Sequence, residues 1–418
     1  LICQNEIFYE RIEDVQSPVS DRPAMKNLKL PTFNYGFMPT LKFGCGLASA
    51  IGEDLTSICD AKHVMVISDP GVIAAGLTDA VMASLNKQSV AVDLFDDVKG
   101  ETSAASIDKA TEIIRTARPS VVIGLGGGSA LDVAKMAAVV AASHHTAEAY
   151  ALMHHPLPQR TAKLVMLPTT AGTGAEVTRT AVFIDSQDRK IWAWGDALAA
   201  DLVILDPELT CTLPLSLTAA TGLDAMVHAI EACTVKNSHP FVQATGLHAI
   251  RLIFQNLVKA IERPRDLNAR GNMLIAATLA GLALDGAGAG LAHAIGHALG
   301  TIAGIHHGRA VALALDVIFP KNATTAIEIH AEIAAALDAQ AVKIPAVEMA
   351  KMGAHAFSDF IRRTGIELSL KPDGLSRNDL KRLVDVIHSK ENLPMIENNC
   401  YTASKADIDD FARQLLSR

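Results

Sequence analysis

From about residue 27 to 205 the chain alternates between two hydrophobic periods. Short Val- and Ile-rich runs at His63–Ser68, Val90–Phe95, Ser120–Leu125, Lys163–Leu167 and Leu202–Leu205 are bounded by Gly, Asp or Pro. Continuous apolar runs of this length, closed by turn residues, predict buried strands. Between them, apolar residues recur at helical spacing over Val72–Leu85, Ser103–Ala117 and Ala130–Ala142. Strands alternating with helices predict a parallel sheet covered on both faces. After Asp206-Pro207 the strand signal stops, and from Leu215 onward the apolar positions follow a helical period broken by Gly or Pro. The pattern therefore predicts an α/β domain with a parallel sheet over residues 27–205 and an all-α domain over 206–418. Residues 1–26 precede the first strong pattern and read as a poorly ordered N-terminal extension.

Composition supports this division. Half of the 418 residues are apolar, yet only two Trp, four Tyr and twelve Phe are present, so the apolar content is aliphatic. Ala and Leu in such excess favour helices, because they lose little side-chain freedom there. The apolar content excludes a disordered chain. The net charge of -8 lacks the basic footprint of a nucleic-acid partner. Six scattered cysteines form no C-x-x-C pair and read as free thiols of a reducing cytoplasm. No uncharged apolar run reaches the roughly 18 residues of a membrane span, and no signal-peptide pattern opens the chain. Fifteen histidines stand out.

Two loops carry nucleotide chemistry. In Ser120-Val-Val-Ile-Gly-Leu-Gly-Gly-Gly-Ser129 a strand runs into Gly126, Gly127 and Gly128 and then into a helix. Without Cβ atoms the backbone can approach a diphosphate, Ser129 can donate to it, and the helix N-terminus favours an anion. The spacing Gly124-x-Gly126-x-x-Ser129 misses the dinucleotide fingerprint by one Gly. Pro168-Thr-Thr-Ala-Gly-Thr-Gly174 also follows a strand, and two such loops at strand C-termini are what a nucleotide crevice requires. Asp69, at the end of the first of these strand runs, is placed either to bind an adenosine ribose and repel a 2′-phosphate or to initiate a turn before Pro70.

In the helical half, Asp224 and His228 are spaced i, i+4 and share one helix face. His293 and His297 repeat that spacing, and His306-His307-Gly308 follows. Imidazoles with a carboxylate suit Fe(II) or Zn(II), and three or four such ligands leave a position for substrate. A histidine in an Ala-rich helix otherwise needs a polar partner to be buried. An H-E-x-x-H metalloprotease is excluded, because Ala294 stands where the Glu would be. His144, His145, His154 and His155 lie in a polar connection, and the remaining histidines form no constellation.

With these motifs in hand, the chain resembles the iron-containing (group III) alcohol dehydrogenase family from about Tyr35 to at least Pro320. The anchors are Gly126-Gly-Gly-Ser-Ala-Leu-Asp-Val-Ala-Lys135, Pro168-Thr-Thr-Ala-Gly-Thr-Gly-Ala-Glu-Val-Thr178, Leu205-Asp-Pro-Glu-Leu-Thr210, Thr218–Ala232, and His293-x-x-x-His297 with His307-Gly308. The resemblance implies the architecture shared with dehydroquinate synthase: a nucleotide-binding α/β domain, a helical domain and an active site between them. It implies Asp224, His228, His293 and His307 as ligands of a divalent metal, Fe(II) with Zn(II) as the alternative. It implies His297 beside the site, where an imidazole titrating near neutrality suits a proton relay. Gly127, Gly128 and Ser129 would bind the cofactor diphosphate alongside Gly126, with Asp132 supporting that loop. Thr169, Thr170 and Thr173 would line the cofactor cleft, Lys190 would lie near its ribose, and Asp69 matches the position of a carboxylate that accompanies NAD rather than NADP.

The activity implied is reversible hydride transfer between a small alcohol or aldehyde and NAD(H), the metal polarising the substrate oxygen, in a homodimer or larger homo-oligomer. The chain departs from the family pattern in three places. His306 replaces a Pro and Val311 an Asn, Asp285-Gly286 replaces an Asn-containing segment, and Gly100-Glu-Thr-Ser103 stands in place of Pro-Asn-Pro-Thr. A zinc polyol dehydrogenase of the glycerol type shares the fold but lacks the counterpart of His228. A dehydroquinate-synthase-like lyase carries Glu at the position of Asp224.

Overall fold

The strands β1 (Thr40–Phe43), β2 (His63–Ile67), β3 (Ala91–Phe95), β4 (Val121–Gly126), β5 (Lys163–Pro168) and β8 (Leu202–Leu205) form one parallel sheet in the order β1-β8-β5-β4-β2-β3. The computed structural model describes residues 32–418 apart from 34, 37, 60 and 338–343, so the expected extension over residues 1–26 lies outside the described residues. Side chains along a strand alternate between the two faces of a sheet, so a strand buried on both sides is apolar throughout. The central strands obey this. Met65, Ile67, Val122, Leu164, Met166 and Val203 enter one hydrophobic core, whereas Val64, Val66, Val121, Ile123, Val165 and Leu202 enter the other. The first core is shared with helices α4 (Ala104–Ala117) and α5 (Gly128–Val140), and the second with α1 (Ile51–Ile58) and α3 (Leu77–Lys87).

Local structure differs from the sequence reading in three places. The helix expected over Val72–Leu85 is two helices, α2 (Pro70–Ala74) and α3, because Gly76 takes a left-handed φ of 72° and breaks the run. The edge strand β1 was not anticipated; it is short and only partly buried, so its apolar signal is weak. An antiparallel hairpin, β6 (Thr180–Ile184) with β7 (Lys190–Trp194), forms a second, two-stranded sheet. Its alternating burial is the period of a half-exposed ribbon rather than of a buried strand. Asp185 closes the turn by accepting the Gln187 and Arg189 amide N–H groups.

Beyond Leu205 the described residues hold no strand. The helices that matter for function are α6 (Leu215–Thr234), α7 (Pro240–Glu262), α8 (Leu267–Ala287), α9 (Leu291–Ala303) and α10 (His307–Asn322). Helix α6 is buried from Thr218 to Thr234, which explains its lack of a polar face. Among the described residues no single helix is long and apolar enough to cross a membrane, and the apolar pair α8–α9 is bent by 105°. The sheet and the helices belong to one compact unit, Tyr35–Arg418.

Candidate metal centre and nucleotide cleft

Asp224 and His228 lie one turn apart on α6, His293 lies in the first turn of α9, and His307 is the first residue of α10. The three helices bring one donor atom from each of these residues within 4.8 Å of one another. Asp224 Oδ1 stands 3.7 Å from His228 Nε2 and 3.5 Å from His307 Nε2. Ligands about 2.1 Å from a tetrahedral ion are about 3.4 Å apart, so this spacing suits one cation. The approach of α10 to α6 depends on Gly308, where any Cβ would collide with the Ala220 carbonyl oxygen.

The group is buried and incompletely hydrogen-bonded. Asp224 Oδ1 and His293 Nε2 have no hydrogen-bond partner, nor do the Nδ1 atoms of His228, His297 and His307. A buried carboxylate oxygen facing imidazoles without a hydrogen bond is costly unless a cation satisfies it. The residues therefore fit a divalent ion.

Glu231 extends the constellation by one further turn of α6 and was not singled out from the sequence. Its carboxylate accepts the Gly290 and Ala292 amide N–H groups at 2.9 and 2.6 Å and lies 2.5 Å from His293 Nδ1. This bond turns His293 Nε2 toward the donor group and makes it a more basic ligand. The available signal was its spacing, seven residues beyond Asp224 and three beyond His228 on the same helix face.

The electrostatics separate the imidazoles. Burial pushes His228 below its ordinary range, against the pull of Asp224. Burial and the charge of Lys190 hold His297 and His307 well below theirs. Burial also opposes a charged His293, but the charge and hydrogen bond of Glu231 outweigh it and raise that residue. The lowered values keep His228 and His307 neutral, as metal binding requires, whereas His293 must lose a proton first. His297 lies outside the four-residue donor group, with its ring centroid 5.4 Å from that of His307 and 6.4 Å from that of His293.

The nucleotide loops adjoin each other. Gly127 precedes α5 without a side-chain cap, leaving the first amide N–H groups of that helix free for an anion. The Thr169 amide N–H donates to the Gly126 carbonyl oxygen at 2.9 Å. Thr170 and Thr173 pack directly over Gly127 and Gly128; a Cβ on Gly128 would stand 2.7 Å from Thr173 Cγ2. The Asp69 carboxylate makes the turn that the sequence offered as one of its two readings. Its Oδ1 caps α2 by accepting the Gly71 and Val72 amide N–H groups, while Oδ2 lies beside Gly126.

Asp132 and Lys190 each pair within the protein. Asp132, expected to support the diphosphate loop, accepts the Val182 amide N–H at 3.0 Å and pairs with Lys135 at 2.9 Å. One turn into α5, it faces the hairpin and anchors β6. Lys190 pairs with Glu101 at 2.8 Å, and its charge reaches the histidine cluster. Of the other histidines, His63 bonds Asp93 and His330 the Ala326 carbonyl, and His145 stacks on His155. Cys45, Cys211, Cys233 and Cys400 are free thiols.

Comparison with known proteins agrees with this geometry. Residues 39–207 match the family described as iron-containing alcohol dehydrogenase, and residues 218–416 match the C-terminal domain of the Fe-containing alcohol dehydrogenase family. The chain is 33% identical over 363 residues to choline dehydrogenase of Bacillus subtilis, covering 86% of this chain and 90% of that one. It is 33% identical over 369 residues to long-chain-alcohol dehydrogenase 1 of Geobacillus thermodenitrificans, covering 86% and 93%. Its structure matches that of a 1,3-propanediol oxidoreductase with a TM-score of 0.85 at 28% identity, covering 92% of this chain and 100% of that one. Sulfoacetaldehyde reductase from Bifidobacterium kashiwanohense, solved in complex with NAD+, matches with a TM-score of 0.83 at 28% identity, covering 93% and 99%. The four-donor cluster, the adjoining glycine and threonine loops and these similarities together show that the chain belongs to the iron-containing alcohol dehydrogenase family.

Proposed function

We propose that this protein catalyses the reversible, NAD(H)-linked oxidation of small primary alcohols to aldehydes, with a divalent metal, Fe(II), held by Asp224, His228, His293 and His307. The observation that carries the reading is the buried, unpartnered Asp224 Oδ1 set among three imidazoles. When bound, the metal supplies a Lewis acid for the substrate oxygen and NAD the hydride acceptor. The rest is the work of the chain. Gly126, Gly127, Gly128 and Ser129 receive the diphosphate at the open end of α5, and Thr169, Thr170 and Thr173 close the adjoining wall. Asp69 Oδ2, beside that loop, would bind a ribose hydroxyl and repel a 2′-phosphate. Glu231 holds His293 in one tautomer and orientation. His297, kept neutral by burial and by Lys190, accepts the alcohol proton at a ring nitrogen and passes it toward solvent. A cytoplasmic location and a homo-oligomeric assembly belong to the same proposal and rest on the sequence reading.

The test is NADH formation by protein reconstituted anaerobically with Fe(II) or with Zn(II), over a panel of short alcohols including glycerol, with NAD+ and NADP+ compared. Turnover of butanol or propanediol with Fe(II) and NAD+ is expected. Full activity with zinc alone would defeat the iron assignment, and absence of turnover with any alcohol would defeat the reading. His228→Ala should lose the metal; unchanged metal content would remove His228 from the site.

A further inference from the structure

Helix α9 begins without a cap of its own. Gly290 precedes it and carries no side chain, so the first backbone N–H groups need acceptors from elsewhere. Glu231 takes those of Gly290 and Ala292. The one between them, on Leu291, donates to Asn399 Oδ1 at 3.4 Å. The two acceptors close on one point, since a Cβ on Gly290 would stand 2.9 Å from Glu231 Oε1 and 3.1 Å from Asn399 Oδ1. Asn399 is 1% exposed, and its amide can face only one way. Its Nδ2 donates to the Tyr401 carbonyl at 2.8 Å; that oxygen can only accept, as the Leu291 N–H can only donate. A reciprocal pair with Asn322, the last residue of α10, fills the remaining positions. Asn399 Nδ2 donates to Asn322 Oδ1 at 2.9 Å, and Asn322 Nδ2 to Asn399 Oδ1 at 3.2 Å. The preceding residue pins the same segment. Asn398 Nδ2 donates to the Ala287 and Ala289 carbonyls at the corner between α8 and α9, and the Asn398 carbonyl accepts the Lys236 amide N–H, just beyond α6, at 2.7 Å. His293 follows Leu291 by two residues, so this segment fixes the turn from which that imidazole projects.

We propose that Asn399 is a positioning residue of the metal centre: with Glu231 it holds the first turn of α9, so that His293 presents Nε2 to the donor group. This deepens the proposed metal site and rests on it. The two anchors act on different atoms. Glu231 fixes the rotation of the His293 ring at Nδ1, and Asn399 completes the hold on the backbone from which the ring rises. Supporting groups of this kind keep a site within about 0.5 Å of its working geometry. The two ends of the amide differ in task. The oxygen end serves α9, and the nitrogen end anchors the side chain to Tyr401 and Asn322. Loss of an outer partner of a metal ligand lowers affinity by about 10–100-fold, and Asn399, one step further out than Glu231, belongs at the lower end of that range. Asn399 acts through His293 and takes no part in the chemical step.

The experiment titrates the full chain, freed of metal, with Co(II), which accepts the same imidazole and carboxylate donors as Fe(II). Affinity is read together with the visible d–d absorption, which responds to the placement of the ligands, and apoprotein melting is followed in parallel. Asn399→Ala should bind Co(II) about tenfold more weakly, with an altered spectrum. Asn399→Asp loses the donor end but keeps an oxygen for the Leu291 N–H, at a helix N-terminus where negative charge is favoured. It should melt below wild type yet keep the wild-type spectrum and an affinity within about threefold, short of the loss expected for a missing outer partner. Asn322→Ala, which leaves the contact with Leu291 in place, should do the same. A purely structural amide gives a different order, with Asn399→Asp or Asn322→Ala losing as much affinity as Asn399→Ala, and that result would overturn the proposal. So would Asn399→Ala with wild-type affinity and an unchanged spectrum. Should Asn399→Ala fail to fold, Asn399→Asp decides alone: wild-type affinity and spectrum support the proposal, and a loss approaching tenfold overturns it. Wild-type protein that binds no Co(II) would overturn the metal site itself, a result obtained before any variant is made.

Discussion

Glu231→Gln tests the inner construction of the metal centre. The carboxylate receives three hydrogen bonds, from Gly290, Ala292 and His293 Nδ1. Glutamine keeps one acceptor oxygen and turns an NH2 group toward the remaining donors, so at least one buried N–H is left unpaired. That costs about 1–3 kcal/mol of fold stability. Losing a carboxylate behind a metal-binding histidine typically lowers metal affinity by about 10–100-fold, or ~1.4–2.7 kcal/mol. The pH dependence adds a second signature. Glu231 raises the His293 pKa, and a proton on that imidazole must leave before a metal binds. Wild-type affinity therefore climbs with pH and levels off only above a value higher than the ordinary ~6.5. In Glu231→Gln the raising charge is gone, so the plateau is reached at lower pH while its height falls. Competition with a chelator from pH 5.5 to 8.5, with thermal melting of the apoprotein in parallel, measures both effects. A plateau within threefold of wild type, or an onset displaced to higher pH, would refute the reasoning.

Gly308→Ala drives a methyl group into the Ala220 carbonyl and forces α10 from α6; about 1–3 kcal/mol of stability should be lost together with metal affinity, and an unchanged melting temperature with full metal content contradicts the packing argument. His297→Gln should keep the metal and lower kcat by about 100-fold, the lower end of the usual range for general acid–base groups; kcat within threefold of wild type removes His297 from proton transfer. Asp69→Ser retains a hydroxyl to cap Gly71 and Val72 but removes the charge beside Gly126. The ratio of NADP+ to NAD+ utilisation should rise at least about tenfold, the effect of relieving one like-charge contact; an unchanged ratio means that Asp69 serves only as a cap.

Much of the scaffold is legible in the chain because backbone periodicity is a local property. Strands β2, β4, β5 and β8 are apolar runs of a length that only a two-sided parallel sheet buries, and at one-turn spacing α6 carries Asp224 and His228 and α9 His293 and His297. The glycine run before α5 is equally local, since its purpose is to leave backbone uncovered. The hairpin β6–β7 escaped because its alternating burial gives a half-strength signal, and the break at Gly76 because a helical period continues on both sides of it.

What the sequence by itself determined was therefore the succession of strands and helices, the uncovered glycine loop and the residue types of the four-donor cluster. Only the tertiary structure decided which atoms meet. Asp224 and His307 belong to helices that come together through the contact of Gly308 with Ala220. Glu231 finds His293 because α9 starts against α6, Asp132 reaches β6, and Glu101 is carried to Lys190 by bonds to α5 and the hairpin. These are long-range pairings. Spacing along the chain specifies the face of an element on which a side chain stands, but its partner is chosen by how that face packs against another.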